Sequence, residues 1–249
     1  MRERRGFTLI EVLLVLAILA IVAALIIVGQ QSSGRASNER SSTSSLKTLA
    51  SAQADFRGND RDGNRIRDFW TADVAGLYGV VPVGSTEMIK LIEVSVAGAD
   101  FASAGVAALG VEGLEVVDRD RYAVAAPKYG YWYQRMLTDD ESLPYQTNTE
   151  GVARVDGTLS QKSWWNHSRF GFYAFPDSFS AARDVYFINE GNTIFKRAMN
   201  GPVKPPSAAP NPAGIRLRTG KDGLTGSQVP ETWPADSVLK AEYEYSKHD

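Results

Sequence analysis

The chain has no cysteine among its 249 residues and only two histidines. The first absence excludes disulfides, Cys-ligated zinc, iron–sulfur clusters and thiol catalysis. The second leaves His167 as the one imidazole away from the terminus, because His248 stands one residue from the end. Any Ser-His-Asp site would have to be built around it. A phosphate-cradling glycine loop, an HExxH pair and a nucleophile motif are also missing, so we expect a protein that is not an enzyme. Charge of one sign is in short supply too: 27 basic against 29 acidic side chains give a net of -2, which offers no footprint for nucleic acid. The length suits one or two domains with a real core. At 43% hydrophobic and 22% charged residues the composition is that of a globular chain. The hydrophobic share, however, is crowded at the N-terminus.

From Phe7 to Val28 run 22 residues, FTLIEVLLVLAILAIVAALIIV, in which only Thr8 and Glu11 are polar. As a helix this run is roughly 33 Å long, about the thickness of a bilayer's hydrocarbon core. Arg2, Arg4 and Arg5 precede it against one acid, Glu3. Such a cluster stays on the cytoplasmic side, which sends the rest of the chain outside. The run is too long for the apolar region of a secretory signal peptide. A plain transmembrane anchor leaves Glu11 unexplained, since a carboxylate in an apolar span costs a few kcal/mol and usually has a partner.

The segment Arg5-Gly6-Phe7-Thr8-Leu9-Ile10-Glu11-Val12 closely resembles the prepilin motif of type IV pilins and type II secretion pseudopilins. The resemblance implies that a membrane peptidase cuts on the cytoplasmic side between Gly6 and Phe7 and methylates the new amine of Phe7. It implies that Glu11 pairs with the N-terminal amine of a neighbouring subunit, neutralising two charges in a low-dielectric setting and setting the register between helices. Removing a six-residue leader with three Arg and one Glu leaves 24 basic and 28 acidic side chains, a net of -4. The expected partners are prepilin peptidase, other pilin or pseudopilin subunits, the inner-membrane assembly platform and membrane lipid, with no nucleic acid. The expected location is the inner membrane, N-terminus inside and head outside, and then a periplasmic or cell-surface filament. A membrane-tethered binding module that never polymerises is the alternative.

Beyond the membrane, residues 30–54 are Ser-rich, yet Leu46, Leu49, Ala50, Gln53 and Ala54 fall at helical spacing. They predict an extramembrane continuation of the helix over 30–56, with Ser32, Ser33 and Gly34 as weak helix formers that could make a joint. The expected organisation is a leader at 1–6, an assembly helix at 7–29, its extension at 30–56, a head at 57–200 and a Pro/Gly-rich region at 201–249. The expected fold class is α+β: pilin-like, a long N-terminal helix packed on an antiparallel sheet.

Asp60, Asp62, Asn64 and Asp68 occupy positions 1, 3, 5 and 9 of an alternating oxygen pattern, with the Ile66 carbonyl at position 7. This resembles the Ca²⁺ loops of EF-hand and dockerin modules. It departs from them at Arg65, where the sharp turn favours Gly, and at Thr71, where a Glu would stand. The same residues also describe an Asx-rich turn, and both readings stand. Trp164 and Trp165, expected in a polar loop between strands beside Asn166 and His167, are candidates for a ligand-binding face, although aromatic residues in such segments also serve cores and subunit contacts.

In the head, residues 73–79 read as a short helical turn or loop and Ser85 as the cap of a helix reaching Glu93. Strands are expected at 122–126, 129–137, 169–175, 184–189 and 193–197, the last two joined by Glu190-Gly191-Asn192. Residues 98–113 read as loop with helical fragments, and 238–245 as a final strand or short helix. The blocks GYWYQRM, FGFYAFP and DVYFINEGNTIFKR resemble prepilin-type proteins of environmental bacteria, which implies a pilin-like body over 72–197 and no activity. The lack of a cysteine pair disfavours disulfide-looped major pilins.

Overall fold

The computed structural model describes residues 8–101, 115–136, 147–149, 152–153, 159–160, 163–165, 168–199 and 246–248. Its first element is one uninterrupted helix, α1, Leu9–Asn59, 51 residues long, or about 77 Å at 1.5 Å per residue. The helix runs on through Ser32, Ser33 and Gly34, in place of the expected joint. Single weak helix formers are overridden once the flanking turns are held.

The two halves of α1 differ in what they touch. Every residue from Thr8 to Ala23 is exposed. In the second half, Ser42, Ser45, Leu46, Leu49, Ala50, Ala52, Gln53 and Phe56 are buried, which confirms most of the apolar stripe and corrects Ala54, which is exposed. The upper part of this contact is polar. Arg35 Nε donates to the Ser180 carbonyl at 3.2 Å, Asn38 Nδ2 to that of Ala181 at 2.9 Å and Lys47 Nζ to that of Asn192 at 2.8 Å. A helix that docks on backbone carbonyls needs polar residues, so its composition resembles that of a linker.

The helix lies on a five-stranded antiparallel sheet. Its members are β3 (Tyr131–Arg135), β8 (Gly171–Pro176), β9 (Asp184–Asn189), β10 (Ile194–Ala198) and β11 (Ser246–His248). Their order across the sheet is β11-β10-β9-β8-β3. The β9–β10 hairpin aligns Phe187 with Phe195 and Ile188 with Ile194. The four expected aromatic strands therefore form within one or two residues of their predicted places. Alternation explains the match: Tyr131 and Tyr133 join the core shared with α1, while Trp132 and Met136 join a cluster on the opposite face with Tyr173, Phe175, Val185 and Phe187. Both faces of the sheet are thus buried. The free edge of β3 is taken by residues 99–101, with Phe101 N donating to the Tyr133 carbonyl at 2.9 Å and Tyr133 N to that of Ala99 at 2.8 Å, which leaves that stretch of the edge closed to further pairing.

Two expectations for the head fail. Residues 86–93 form no helix. The backbone amides of Ile89, Lys90 and Leu91 instead donate to the carbonyls of Val80, Tyr78 and Leu77, laying this segment along the short helix α2 (Gly76–Gly79) and strand β1 (Val80–Val81). The helix begins later, as α3 at Val94–Gly98. Residues 122–126 are not a strand: Tyr122 closes a 3-10 turn at Arg119–Arg121, and its hydroxyl donates to the Ala75 carbonyl at 3.1 Å. In both places a tertiary hydrogen bond outcompetes a weak local preference.

The remaining described strands pair locally: β1 with β2 (Glu115–Val116), β4 (Thr147–Thr149) with β7 (Ser163–Trp165), and β5 (Val152–Ala153) with β6 (Leu159–Ser160). The expected element at 238–245, the loop beyond residue 101 and most of the 201–249 region lie outside the described residues.

Candidate functional site

The candidate residues Glu11 and Asp60 stand at the two ends of α1. At the N-terminal end Thr8 is the cap. Its backbone is extended, its hydroxyl accepts from Glu11 N at 3.3 Å, and Glu11 Oε2 accepts from Thr8 N at 2.8 Å and from Thr8 Oγ1 at 2.9 Å. This reciprocal capping box satisfies amides that have no partner within the helix. It also holds the Glu11 carboxylate against the first turn, where the helix dipole favours negative charge. Gly6 and Phe7, the expected cleavage pair, lie outside the described residues.

The surface that follows is apolar on all sides: Leu9 is 78% exposed and Leu16 55%. A helix hydrophobic all round and exposed all round does not persist in water. Among the described residues no helix is long and apolar enough to cross a membrane; the described side chains of this run are the fifteen from Leu9 to Ala23.

At the far end, Asp60 ends α1 in the left-handed conformation, φ 49°, and its N–H donates to the Phe56 carbonyl. The chain then folds on its own polar groups. Arg65 N donates to Asp60 Oδ2 at 3.0 Å, Asn64 Nδ2 to Asp62 Oδ2 at 2.6 Å and Ile66 N to Asn64 Oδ1 at 2.6 Å. Arg65 has φ 65°, so the left-handed geometry that the pattern wants from Gly at this position is present without Gly. Arg61 points away, making a bidentate contact with Asp55 on the helix and lowering that carboxyl's pKa.

Burial is the surprise of this loop. Asp62 and Asp68 are 4% and 2% exposed. Desolvation, opposed by a hydrogen bond from Asn64 and reinforced by the neighbouring Asp60, pushes the Asp62 carboxyl up to about 7. Desolvation, reinforced by the charges of Asp62 and Asp60, pushes Asp68 up to about 9. Asp60 Oδ1 and Asp68 Oδ1 are buried without a hydrogen-bond partner. The three carboxylates do not converge fully: among the described residues no group of three or more acidic or histidine side chains is gathered closely enough to hold a metal ion.

Next to the loop is a polar knot that the sequence did not announce. Gln53 of α1 caps the backbone of Trp70 from both sides: its Nε2 donates to the Trp70 carbonyl, and its Oε1 accepts Trp70 N at 2.9 Å. Trp70 Nε1 donates to Asp73 Oδ1 at 3.0 Å, and Gly76 N to the same oxygen at 2.7 Å. Asp100 Oδ2 accepts Val74 N at 2.9 Å and Ala75 N at 2.8 Å. These are positioning contacts, since they fix the start of the head against α1. Asp100→Ala would strand two buried amides, each costing about 1–3 kcal/mol. We expect its Tm to fall by about 10 °C, with Asp100→Asn, which keeps one acceptor oxygen, falling less in the same melt.

Trp164 and Trp165 lie in β7, paired with Asn148 and Thr147. Their backbone is a strand, which corrects the expectation of a loop; Asn166 and His167 lie outside the described residues.

Comparison with protein families matches residues 1–27 to the prokaryotic N-terminal methylation motif, the type IV prepilin and pseudopilin signal. That signal marks a substrate of prepilin peptidase, and the family that carries it is structural. The described residues beyond the motif form helices and antiparallel sheets, the expected α+β class. Comparison with curated proteins and with solved structures gives no match.

Proposed function

We propose that the chain is a structural subunit of a type IV pilus-like or type II secretion pseudopilus filament. Prepilin peptidase cuts it after Gly6 and methylates Phe7. The apolar half of α1 holds it in the inner membrane with the head outside, and the same helix then bundles in the filament core. The observation that carries this reading is the methylation motif at 1–27 running directly into a helix whose first four turns are apolar and exposed on every side. Such a surface is stable only in lipid or against other apolar helices. The head, by contrast, closes its own core and one sheet edge. The mechanism is packing plus one charge, with no chemistry in this chain.

The test is made in cells that carry a prepilin peptidase. Mass spectrometry of the purified subunit is expected to show loss of residues 1–6 and an N-methylated Phe7. The sheared extracellular or periplasmic fraction is expected to contain the protein as polymer. Intact N-termini would overturn the processing. Correct processing with total absence from assembled material would favour the tethered binding module instead.

A further inference from the structure

We infer that two loops of the head, residues 128–130 and 177–183, form a collar around α1 that rests on the surface of an anionic bilayer while the chain is membrane-anchored. This rests on the membrane step of the filament reading and not on polymerisation.

The helix places the collar. Arg35 Nε donates to the Ser180 carbonyl and Asn38 Nδ2 to that of Ala181, while Arg183 N donates to Glu39 Oε1 at 3.3 Å. The second loop leans on the first. Asp177 N donates to the Gly130 carbonyl at 2.8 Å, and a Cβ on Gly130 would lie 2.8 Å from that of Ala181 and 3.5 Å from Asn38 Nδ2. Nearer the apolar run, Ser32, Ser33 and Gly34 are exposed, and a Cβ on Gly34 would meet no heavy atom within 4 Å. The run ends at Val28, so Arg35 stands about 10 Å beyond the hydrocarbon edge at 1.5 Å per residue. The polar headgroup layer is about 5–8 Å deep on each side, so the collar meets its outer boundary.

The chemistry at that level is interfacial. Lys128 Nζ lies 5.6 Å from the centre of the Tyr129 ring, and the Arg183 guanidinium 5.1 Å from that of Phe179. Tyrosine rings and basic groups are the residues that the membrane–water interface holds. Arg183 is exposed, and neither it nor Arg35 makes an ion pair among the described residues. Nearby acids are engaged within the fold: Asp177 accepts Trp132 Nε1, and Asp184 faces Lys196 at 3.6 Å. Such basic groups are drawn to an anionic leaflet. Tyr129 is the second, independent observation. With Gly130 it makes the two-residue turn between Lys128 and Tyr131, with φ 51° and 71°, a left-handed pair that favours Asn-Gly. A tyrosine at the first position is strained. It is also 56% exposed, so the head's own packing gains little from the ring. Contact with the interface gives that ring a use.

The experiment uses the full chain in lipid nanodiscs. Because the chain has no cysteine, Ser180→Cys, Asn192→Cys and Val22→Cys each create one attachment point for a fluorophore. Asn192 meets α1 at Lys47, about 18 Å farther along the helix than Arg35. Discs of phosphatidylglycerol and phosphatidylethanolamine carry a nitroxide quencher on the headgroup, or on the acyl chain for the label at position 22. The label at position 180 is expected to lose most of its fluorescence, and that at position 192 little. Phosphatidylcholine discs, or about 1 M salt with its Debye length of about 3 Å, should restore much of the signal at 180. Tyr129→Asn in the same background is expected to raise Tm in detergent by about 3 °C by relieving the turn, yet to weaken the quenching; Arg183→Gln should weaken it as well. A ring kept for the fold alone would give the opposite pair of results, a lower Tm with quenching intact. Quenching at 22 but none at 180 would overturn the collar and leave the anchor standing. Equal quenching at 180 and 192, or quenching at 180 indifferent to both variants, would also overturn it. No quenching at 22 would overturn the membrane anchor and the collar together.

Discussion

Glu11→Ala is expected to yield a chain that is cleaved and methylated normally, stays in the membrane fraction and is absent from sheared filaments. In the proposed processing the peptidase acts at Gly6 and Phe7, five and four residues away, so removal of the carboxylate leaves its substrate bond intact. Assembly is different. Glu11 is the single charged residue between Phe7 and Val28, on a helix that presents apolar side chains in every direction. If it pairs with a neighbour's amine inside the filament, deleting it leaves that amine unpaired in a low-dielectric core. Breaking one partner of a buried pair costs about 3–5 kcal/mol, and the loss recurs at every subunit. The alanine variant also loses the capping box with Thr8, worth only about 1 kcal/mol, and a critic could assign the defect to fraying. Glu11→Gln separates the two. Its amide oxygen can still accept from Thr8 N and Oγ1, yet it carries no charge. We expect it to fail in assembly as alanine does. Filaments at wild-type yield from Glu11→Gln would show that the cap, and not the charge, is what the helix needs.

The parts of this molecule that could be read from sequence share a physical cause. The prepilin motif is a contiguous chemical signature. The strands at 131–135, 171–176 and 184–189 carry aromatic residues at adjacent positions, such as Tyr131-Trp132-Tyr133 and Tyr186-Phe187, and a sheet buried on both faces rewards that density because successive side chains point to opposite faces. The lower half of α1 was legible through Leu46, Leu49 and Ala50. The helix over 30–56 was legible as a whole, but the docking of its upper part was not, because Arg35, Asn38 and Glu39 bond to head backbone rather than making apolar contact. The helix expected from Ser85 failed for a related reason. Ser85 Oγ does accept Glu87 N at 3.1 Å, so the local capping tendency is real, but the amides that follow are claimed by Leu77, Tyr78 and Val80. In the acidic loop, residue types and spacing were visible. The burial of Asp68 was not, since it depends on tertiary packing rather than on local sequence. Asp73 and Asp100 gave no signal: each is one carboxylate among 29 acidic residues, and its role is set by amides that arrive only in the fold.

Gly76→Ala tests whether the knot at Trp70 is what fastens the head to the long helix. A Cβ at Gly76 would lie 2.2 Å from Trp70 Nε1, 2.3 Å from Cε2 and 2.5 Å from Cζ2, well inside van der Waals contact. The indole has nowhere to go. It is 2% exposed, its Nε1 is bonded to Asp73 Oδ1, its backbone is clamped by Gln53 and its ring packs 6.0 Å from that of Phe56. Relief therefore requires the ring to break its hydrogen bond to Asp73 or the Gly76–Gly79 turn to lift away. Overpacking costs about 1–3 kcal/mol, and stranding the buried Asp73 oxygen adds about 1–3 kcal/mol. For a head of this size that total corresponds to a fall in Tm of about 10 °C. Gly34→Ala is the control, with no heavy atom within 4 Å of its Cβ position on an exposed turn of α1. There alanine should stabilise by about 0.5–1 kcal/mol. Opposite signs for two Gly→Ala changes in one chain cannot come from a general effect of adding a methyl group. A Gly76→Ala midpoint within about 2 °C of wild type, a change of under about 1 kcal/mol, would show that the Trp70 contact is loose and that α1 is fastened chiefly by its other contacts, Leu46, Leu49 and Phe56 in the core and the hydrogen bonds of Arg35, Asn38, Glu39 and Lys47.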